Sequence, residues 1–255
     1  MPILTLTTDF GTKSFDIAAL KGKLLCASPS INIIDISHDI EVFDIRTAAY
    51  ELKNASLNFP KKTIHFTNIN IKEGKNRYLI IDRNTQYYIC PDNGFVSLMF
   101  PDDDFKAYVL EGLENDFSYQ EINKKLCEIV KLADEGIDIT LMGTITRSYL
   151  RSTHIQPSVM EDMIRASVIH VDKYFNAILN IDKATFYNFV GDSQFTISIR
   201  SIRAHKISKH YSDVDAGELV CLFNDAGLLE IGVNTDKATD RLGLSFGKLV
   251  LIEKM

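Results

Sequence analysis

Residues Ile3 to Gly22, ILTLTTDFGTKSFDIAALKG, constrain the fold more than any other stretch. A strand carrying Ile3, Leu4 and Leu6 gives way at Thr7-Thr8-Asp9 to Phe10-Gly11, and a helix starts near Thr12 to Ser14 with Ile17, Leu20, Leu24 and Leu25 on one face. A strand, a tight polar turn and a helix in that order mark an open α/β sheet. Such sheets bind ligands where the carboxyl end of a strand meets the N–H groups of the next helix. Asp9 sits at that junction. A phosphate favours a Gly-rich loop without an acid, whereas a carboxylate suits the paired hydroxyls of a ribose. In a second reading Asp9 or Thr12 only caps the helix. The tripeptide Asp9-Phe10-Gly11 also occurs in protein kinases, but here no Gly-rich loop, lysine strand or HRD loop precedes it.

The alternation continues down the chain. Asn32 to Ile36 reads as a strand ending in Asp35-Ile36-Ser37-His38-Asp39-Ile40, and a helix from about Asp44 turns Ile45, Ala48, Ala49 and Leu52 inward. His38 is either a ligand or base, or the residue that ties its polar turn together. Thr63 to Ile69 is the next strand, Tyr78 to Ile81 and Tyr87 to Cys90 form a hairpin-like pair, and Pro91-Asp92-Asn93-Gly94 is a turn. Apolar residues at helical spacing predict a helix over Tyr119 to Asp134, stopped by Gly136. Beyond residue 160 short strands dominate: Ser167 to Val171, Ala177 to Ile181, Phe195 to Ile199, Leu219 to Phe223, Leu228 to Val233 and Lys248 to Ile252. The expected organisation is an α/β N-terminal domain over 1–160, a mostly parallel sheet flanked by helices, followed by a small antiparallel β-barrel domain over 161–255.

Charge and cysteine usage narrow the function. The net charge of −6 argues against a nucleic-acid binder driven by phosphate neutralisation. The four cysteines (Cys26, Cys90, Cys127, Cys221) form no CxxC pair, so no zinc or redox motif is present, and buried reduced thiols are expected. The N-terminus lacks a basic region followed by an apolar core, and no apolar run approaches the ~18 residues of a membrane span. A cytoplasmic protein without membrane partners is expected.

Several islands share one pattern. Thr8-Asp9-Phe10-Gly11 with Lys21-Gly22, Asp35 to Ile40 with Asp44-Ile45-Arg46, and Pro91-Asp92-Asn93-Gly94 resemble the N-terminal domain of the S-adenosylmethionine (SAM) hydroxide adenosyltransferases. Asp172-Lys173-Tyr174-Phe175-Asn176 with Asn180-Ile181, and Gly227 to Ile231 with Asn234, resemble that family's C-terminal domain. The family includes the SAM-dependent fluorinase and chlorinase. The resemblance implies an α/β domain followed by a β-barrel, a homotrimer with sites between neighbouring subunits, and substitution at the 5′ carbon of the SAM ribose. Water or a halide attacks, methionine leaves as a neutral thioether, and no metal or redox cofactor is required.

Carried onto this sequence, the resemblance puts Asp9 on the ribose hydroxyls, Asp172 and Asn176 in the motif that closes on the nucleoside, and Asn234 and Thr235 after the strand that contacts adenine. Turn chemistry alone also accounts for an asparagine at 176 or 234. At the chemical end the family pattern changes. Members that use water carry an aspartate opening a DPGVG loop, an arginine seven residues on, and a histidine in an HGRD segment. Here Asn70 opens the loop, Arg77 keeps its spacing, and Gln120 stands at the histidine position. Amides hold a water but do not take its proton near neutrality. Ser14 also stands where members commonly have an acid. Glu73 or Glu121 is a candidate replacement carboxylate. Lys72, Glu73 and Glu121 make the neighbourhood charged and wet, unlike a halide site. Two readings stay open: an enzyme that cleaves SAM to adenosine and L-methionine, and a catalytically silent paralogue that only binds SAM or a related nucleoside.

Overall fold

The computed structural model describes residues 1–71, 77–113 and 117–255, and the chain divides into two compact units, Met1–Thr153 and His154–Met255. The N-terminal unit contains β1 (Ile3–Thr8), α1 (Phe15–Ala27), β2 (Asn32–Ser37), α2 (Ile45–Ser56), β3 (Ile64–Asn68), β4 (Tyr78–Arg83), β5 (Gln86–Pro91), α3 (Phe95–Met99), β6 (Lys106–Leu110), α4 (Tyr119–Asp134) and β7 (Gly143–Thr146). Its sheet runs β2-β1-β3-β5-β4-β6-β7. The strands β2, β1, β3 and β5 are parallel, and β4, β6 and β7 continue the sheet antiparallel. The antiparallel half starts at the β4–β5 hairpin, whose two-residue turn holds Asn84 and Thr85 at φ 51° and 65°. Positive φ at both positions matches the right-handed twist of the flanking strands.

β1 is buried along both faces, as a central strand between two helix layers must be. Leu4 and Leu6 pack with Leu20 and Leu24 of α1 and with Ile122, Leu126, Ile129 and Val130 of α4. On the other face Ala48, Ala49 and Leu52 of α2 pack with Phe95, Val96 and Met99 of α3. Ser14 is the N-cap of α1, accepting from Asp16 N at 3.2 Å, and Asp44 caps α2 by accepting from Arg46 N and Thr47 N at 3.0 and 3.2 Å. Leu25 is exposed, because the stripe Ile17, Leu20, Leu24 turns it about 100° away from the core. Of the cysteines, all of them free thiols, Cys90 and Cys221 are buried, Cys127 is half-buried, and Cys26 on the outer side of α1 is exposed.

Beneath α2 a buried histidine gives this unit an acid sensitivity. The His65 ring is fully buried, stacks on Tyr88 with centroids 4.7 Å apart, and is held by Thr5 Oγ1 2.8 Å from Nδ1. Burial lowers its pKa from 6.5 to about 4. The unfolded chain therefore binds a proton that the folded chain refuses between those values. The stabilisation is fully present above pH 6.5 and is lost as pH falls toward 4, by about 3 kcal/mol. Urea unfolding at pH 7 and pH 4.5 measures this, and His65→Gln is expected to remove most of the difference. An unaltered difference would assign the acid lability to other groups.

The C-terminal unit contains β8 (Ser158–Val159), β9 (Met163–Val171), β10 (Ala177–Asp182), α5 (Lys183–Val190), β11 (Phe195–Ile199), β12 (Ile202–Ala204), β13 (Leu219–Phe223), β14 (Leu228–Val233), α6 (Ala238–Leu242) and β15 (Leu249–Lys254). The strand order β12-β11-β15-β9-β10-β14-β13 is antiparallel throughout, and β8 pairs with β9. The two ends of this order come together, with Ser208 N after β12 donating to Cys221 O of β13 at 2.7 Å, so the sheet curls into a nearly closed barrel. Phe186 of α5 plugs the barrel, its ring 5.2 Å from Phe195 and 5.5 Å from Phe223. Among the described residues, no helix is long and apolar enough to cross a membrane.

Candidate functional site

The first constellation gathers at the carboxyl ends of β1 and β3. Asp9 follows β1, and its Oδ2 accepts from Phe43 N at 3.1 Å and Asn70 N at 3.3 Å. Asp9 does not cap α1, a role Ser14 fills. Two backbone N–H groups from separate loops thus aim one carboxylate. Phe43 and Asn70 both have positive φ, 70° and 52°, which turns their N–H groups onto this acid. Asn93 braces the same corner, its Nδ2 donating to Ile69 O at 2.9 Å.

Arg77 lies one step along. Its Nε donates to Asp92 Oδ2 at 2.8 Å, and Nη2 donates to Ser148 O. Asp92 is 5% exposed and also accepts from Leu150 N at 2.7 Å. The Pro91-Asp92-Asn93-Gly94 turn therefore links Asn70, through Asn93, to Arg77, through Asp92. The guanidinium is anchored as a fixed positive charge. Gln120 is exposed in the first turn of α4, next to Tyr119, whose ring stands edge-on to Phe10 at 5.0 Å. Glu121 closes the capping box of α4, its Oε2 accepting from Ser118 N and Oγ at 2.6 and 2.8 Å, so this carboxylate is engaged as a cap. Glu73 and Lys72 lie outside the described residues.

His38 ties its turn: Nδ1 is 2.8 Å from Thr8 Oγ1, Nε2 is 3.1 Å from Asp35 Oδ1, and its carbonyl accepts from Gly11 N. Two buried polar groups were not singled out from the sequence. The Tyr78 hydroxyl donates to Asn68 Oδ1 at 2.5 Å, which leaves Asn68 Nδ2 buried without a partner among the described residues. Asn123, on the buried side of α4, has an Oδ1 in the same condition. A polar residue on the apolar stripe of an amphipathic helix was the available signal for Asn123.

The second constellation belongs to the barrel. A cleft of about 1020 Å³ is lined by Asp172, Asn176, Tyr211, Glu230, Asn234 and Thr235, among others. Asp172 opens the β9–β10 turn, with Oδ1 accepting from Tyr174 N and Asn176 N at 2.9 and 2.7 Å and Oδ2 accepting from Asn176 Nδ2 at 3.0 Å. Phe175, at φ 65°, is held over this turn with Lys237 Nζ 4.2 Å from its ring centroid. Asn234 Nδ2 donates to Val214 O at 2.9 Å, which fixes the loop entering β13, and Thr235 follows at φ 63°. Asp172, Asn176, Asn234 and Thr235 thus line one cleft, whereas Asn180 bonds Ser167 N and Ile155 O and Leu229 and Ile231 lie in the core. Tyr211 and Lys237 join them unforeseen, with Glu230, which the Gly227 to Ile231 island contains but to which the sequence assigned no role. The available signal was the acid in LLEIGV, whose neighbours Leu229 and Ile231 are core. Among the described residues, no group of three or more His, Cys, Asp or Glu side chains is placed to hold a metal ion.

Comparison with known proteins finds matches to both units of the chain. Residues 4–125 match the model of the SAM hydroxide adenosyltransferase N-terminal domain, and residues 166–251 match that of its C-terminal domain. A protein of Methanocaldococcus jannaschii named (R)-S-adenosyl-L-methionine hydrolase is 30% identical, over 96% of this chain and 94% of the relative. A Thermus thermophilus protein of the same name is 24% identical over 94% of this chain and 95% of the relative. The crystal structure of an uncharacterized conserved protein from Thermotoga maritima superposes with a TM-score of 0.85 at 25% identity, covering 99% of each chain. Matched domain by domain in the right order, and related over nearly its whole length to a protein sharing 30% of its residues, the chain belongs to the SAM hydroxide adenosyltransferase family.

Proposed function

We propose that the protein cleaves SAM by attack of water at C5′ of the ribose, releasing adenosine and L-methionine. The observation that carries this reading is the Asp9 carboxylate, aimed by Phe43 N and Asn70 N at the strand end where a ribose would sit, in a chain of this family. The names of its relatives support the same chemistry. Asp9 accepts the ribose hydroxyls, and Asp172, Asn176, Asn234 and Thr235 hold the nucleoside. Asn70 and Gln120 hold the water with Arg77 as a fixed charge nearby. The O–C5′ bond forms as the C5′–S bond breaks, and its electron pair goes to sulfur. Because the sulfonium leaves as a neutral thioether, the protein mainly orients the ligand and the water.

Neither amide takes a proton, and arginine stays charged. The attacking water therefore keeps both protons until the C–O bond has formed, and the resulting oxonium then loses one to solvent. No metal or redox cofactor enters, and no nucleic acid partner is involved. The same reading makes the protein a cytoplasmic homotrimer with its sites between neighbouring copies. The exposed apolar residues Leu141, Ile145 and Leu150 of the N-terminal unit suit such contacts.

The test is incubation of the purified protein with SAM, followed by chromatography of nucleoside and amino-acid products. Adenosine and methionine are expected in equal amounts, at a rate flat between roughly pH 6 and 9, because no general base sets it. A rate that climbs with pH would mean that an unassigned base activates the water. Saturable binding without product would mean a nucleoside-binding relative without turnover.

A further inference from the structure

Beside the Asp9 constellation lies a cluster of buried polar side chains that the chemistry above does not use. Asn68 ends β3 next to Thr8 of β1, Tyr78 opens β4, and Tyr119 and Asn123 stand one turn apart on α4. Asn68 and Tyr78 are fully buried and Asn123 is 3% exposed, in a core that is otherwise apolar. The Tyr78 hydroxyl donates to Asn68 Oδ1, which joins the two strands. Electrostatics show how close the helix comes to them. Burial raises the Tyr78 pKa, with further increments from Cys90, Tyr119 and Asp9. Burial likewise raises the Tyr119 pKa, and the Asn123 amide opposes it.

Three atoms of this cluster have no partner among the described residues: Asn68 Nδ2, the Tyr119 hydroxyl and Asn123 Oδ1. They are a donor, a group that both donates and accepts, and an acceptor. Buried polar atoms are nearly always satisfied, and a set of three with mixed polarity is what an internal water takes. A water accepts from Asn68 Nδ2, donates to Asn123 Oδ1 and bonds the Tyr119 hydroxyl in either sense. An anion would be repelled by the amide oxygen, and a cation by the amide hydrogens.

Members of the cluster are chain neighbours of the residues assigned to the water. Asn68 lies two residues before Asn70, Tyr78 follows Arg77, and Tyr119 precedes Gln120. The Tyr119 ring also stands edge-on to Phe10, which follows Asp9. We propose that Asn68, Tyr119 and Asn123 hold one buried water, and that with Tyr78 they are positioning residues that fix the spacing of Asn70, Arg77 and Gln120. The positioning role rests on the hydrolase reading above. Hydrogen bonds are directional where apolar contacts are not, so a shared water sets one spacing between α4 and the two strand ends.

High-resolution crystallography and steady-state kinetics of the full chain with SAM test the two halves. Density is expected for a water within hydrogen-bond distance of all three atoms, and is expected to be lost in Asn123→Leu. Tyr119→Phe keeps the ring against Phe10 and removes only the hydroxyl. Asn123→Leu replaces the amide with an apolar group of similar size. Each is expected to lower kcat by about 10- to 100-fold while KM changes by less than about threefold. Asn123→Leu extends the apolar stripe of α4, so its melting temperature should equal or exceed that of the wild type, and its loss of kcat is then not a loss of fold. Thermal melting checks both variants. A dry cluster, or three atoms bonded to other protein groups, would overturn the water site. Unchanged kcat in both folded variants would overturn the positioning role. No product from the wild type would sink the hydrolase reading and the positioning role with it, while the density still decides the water site.

Discussion

Asp9→Ala is expected to weaken adenosine binding by roughly two to four orders of magnitude. On the proposed reading two charge-assisted hydrogen bonds to ribose hydroxyls are lost, at roughly 1.5–3 kcal/mol each. The substitution also strips Phe43 N and Asn70 N of their acceptor, so the loop that carries Asn70 loses its brace. Asp9→Asn separates the two effects. It keeps an acceptor for the loops but removes the charge, and its affinity should fall between wild type and alanine. Calorimetric titration of the three proteins is the measurement. Unchanged affinity in Asp9→Ala would remove Asp9 from the site and leave it a loop tie.

The second large effect is on stability. Phe186→Ala is expected to cost about 3–5 kcal/mol and lower the melting temperature by roughly 10 °C. The ring is fully buried and stands edge-on to Tyr187, Phe195 and Phe223, so no neighbour can collapse into the void without losing its own packing. Phe223 also lines the cleft, which ties core packing to the binding surface. Differential scanning calorimetry of Phe186→Ala and Phe186→Leu reads the cost, with leucine expected to recover more than half. A loss below about 1 kcal/mol would show that the barrel repacks around the cavity.

Local signals made several parts legible in advance. The strand, turn and helix start around Asp9 follow from apolar spacing and one cap. The helix Tyr119 to Asp134 follows from a stripe ended by Gly136, which takes φ 77°. The Asp172 to Asn176 turn is a closed local unit, since an aspartate can reach N–H groups two and four residues on. Other parts carried no such signal. The helix α5 is only eight residues long and lies between strands rich in the same apolar and aromatic types. The strands β6 and β7 are short, and their pairing partners lie far along the chain.

By itself the sequence determined which residue types stand at each strand end and turn: the acid at 9, the amides at 70 and 120, the arginine at 77, and the aspartate and asparagine at 172 and 176. Those identities set the available chemistry, because whether a side chain donates, accepts or titrates is a local property. Only the tertiary structure decided how the groups are used. Asp92 anchors Arg77 across 15 residues, Asp9 is aimed by N–H groups 34 and 61 residues away, and Tyr211 reaches Asn176 across 35. Hydrogen bonds are short and directional, so partners distant in sequence meet only once the sheet and barrel have brought their backbones within reach.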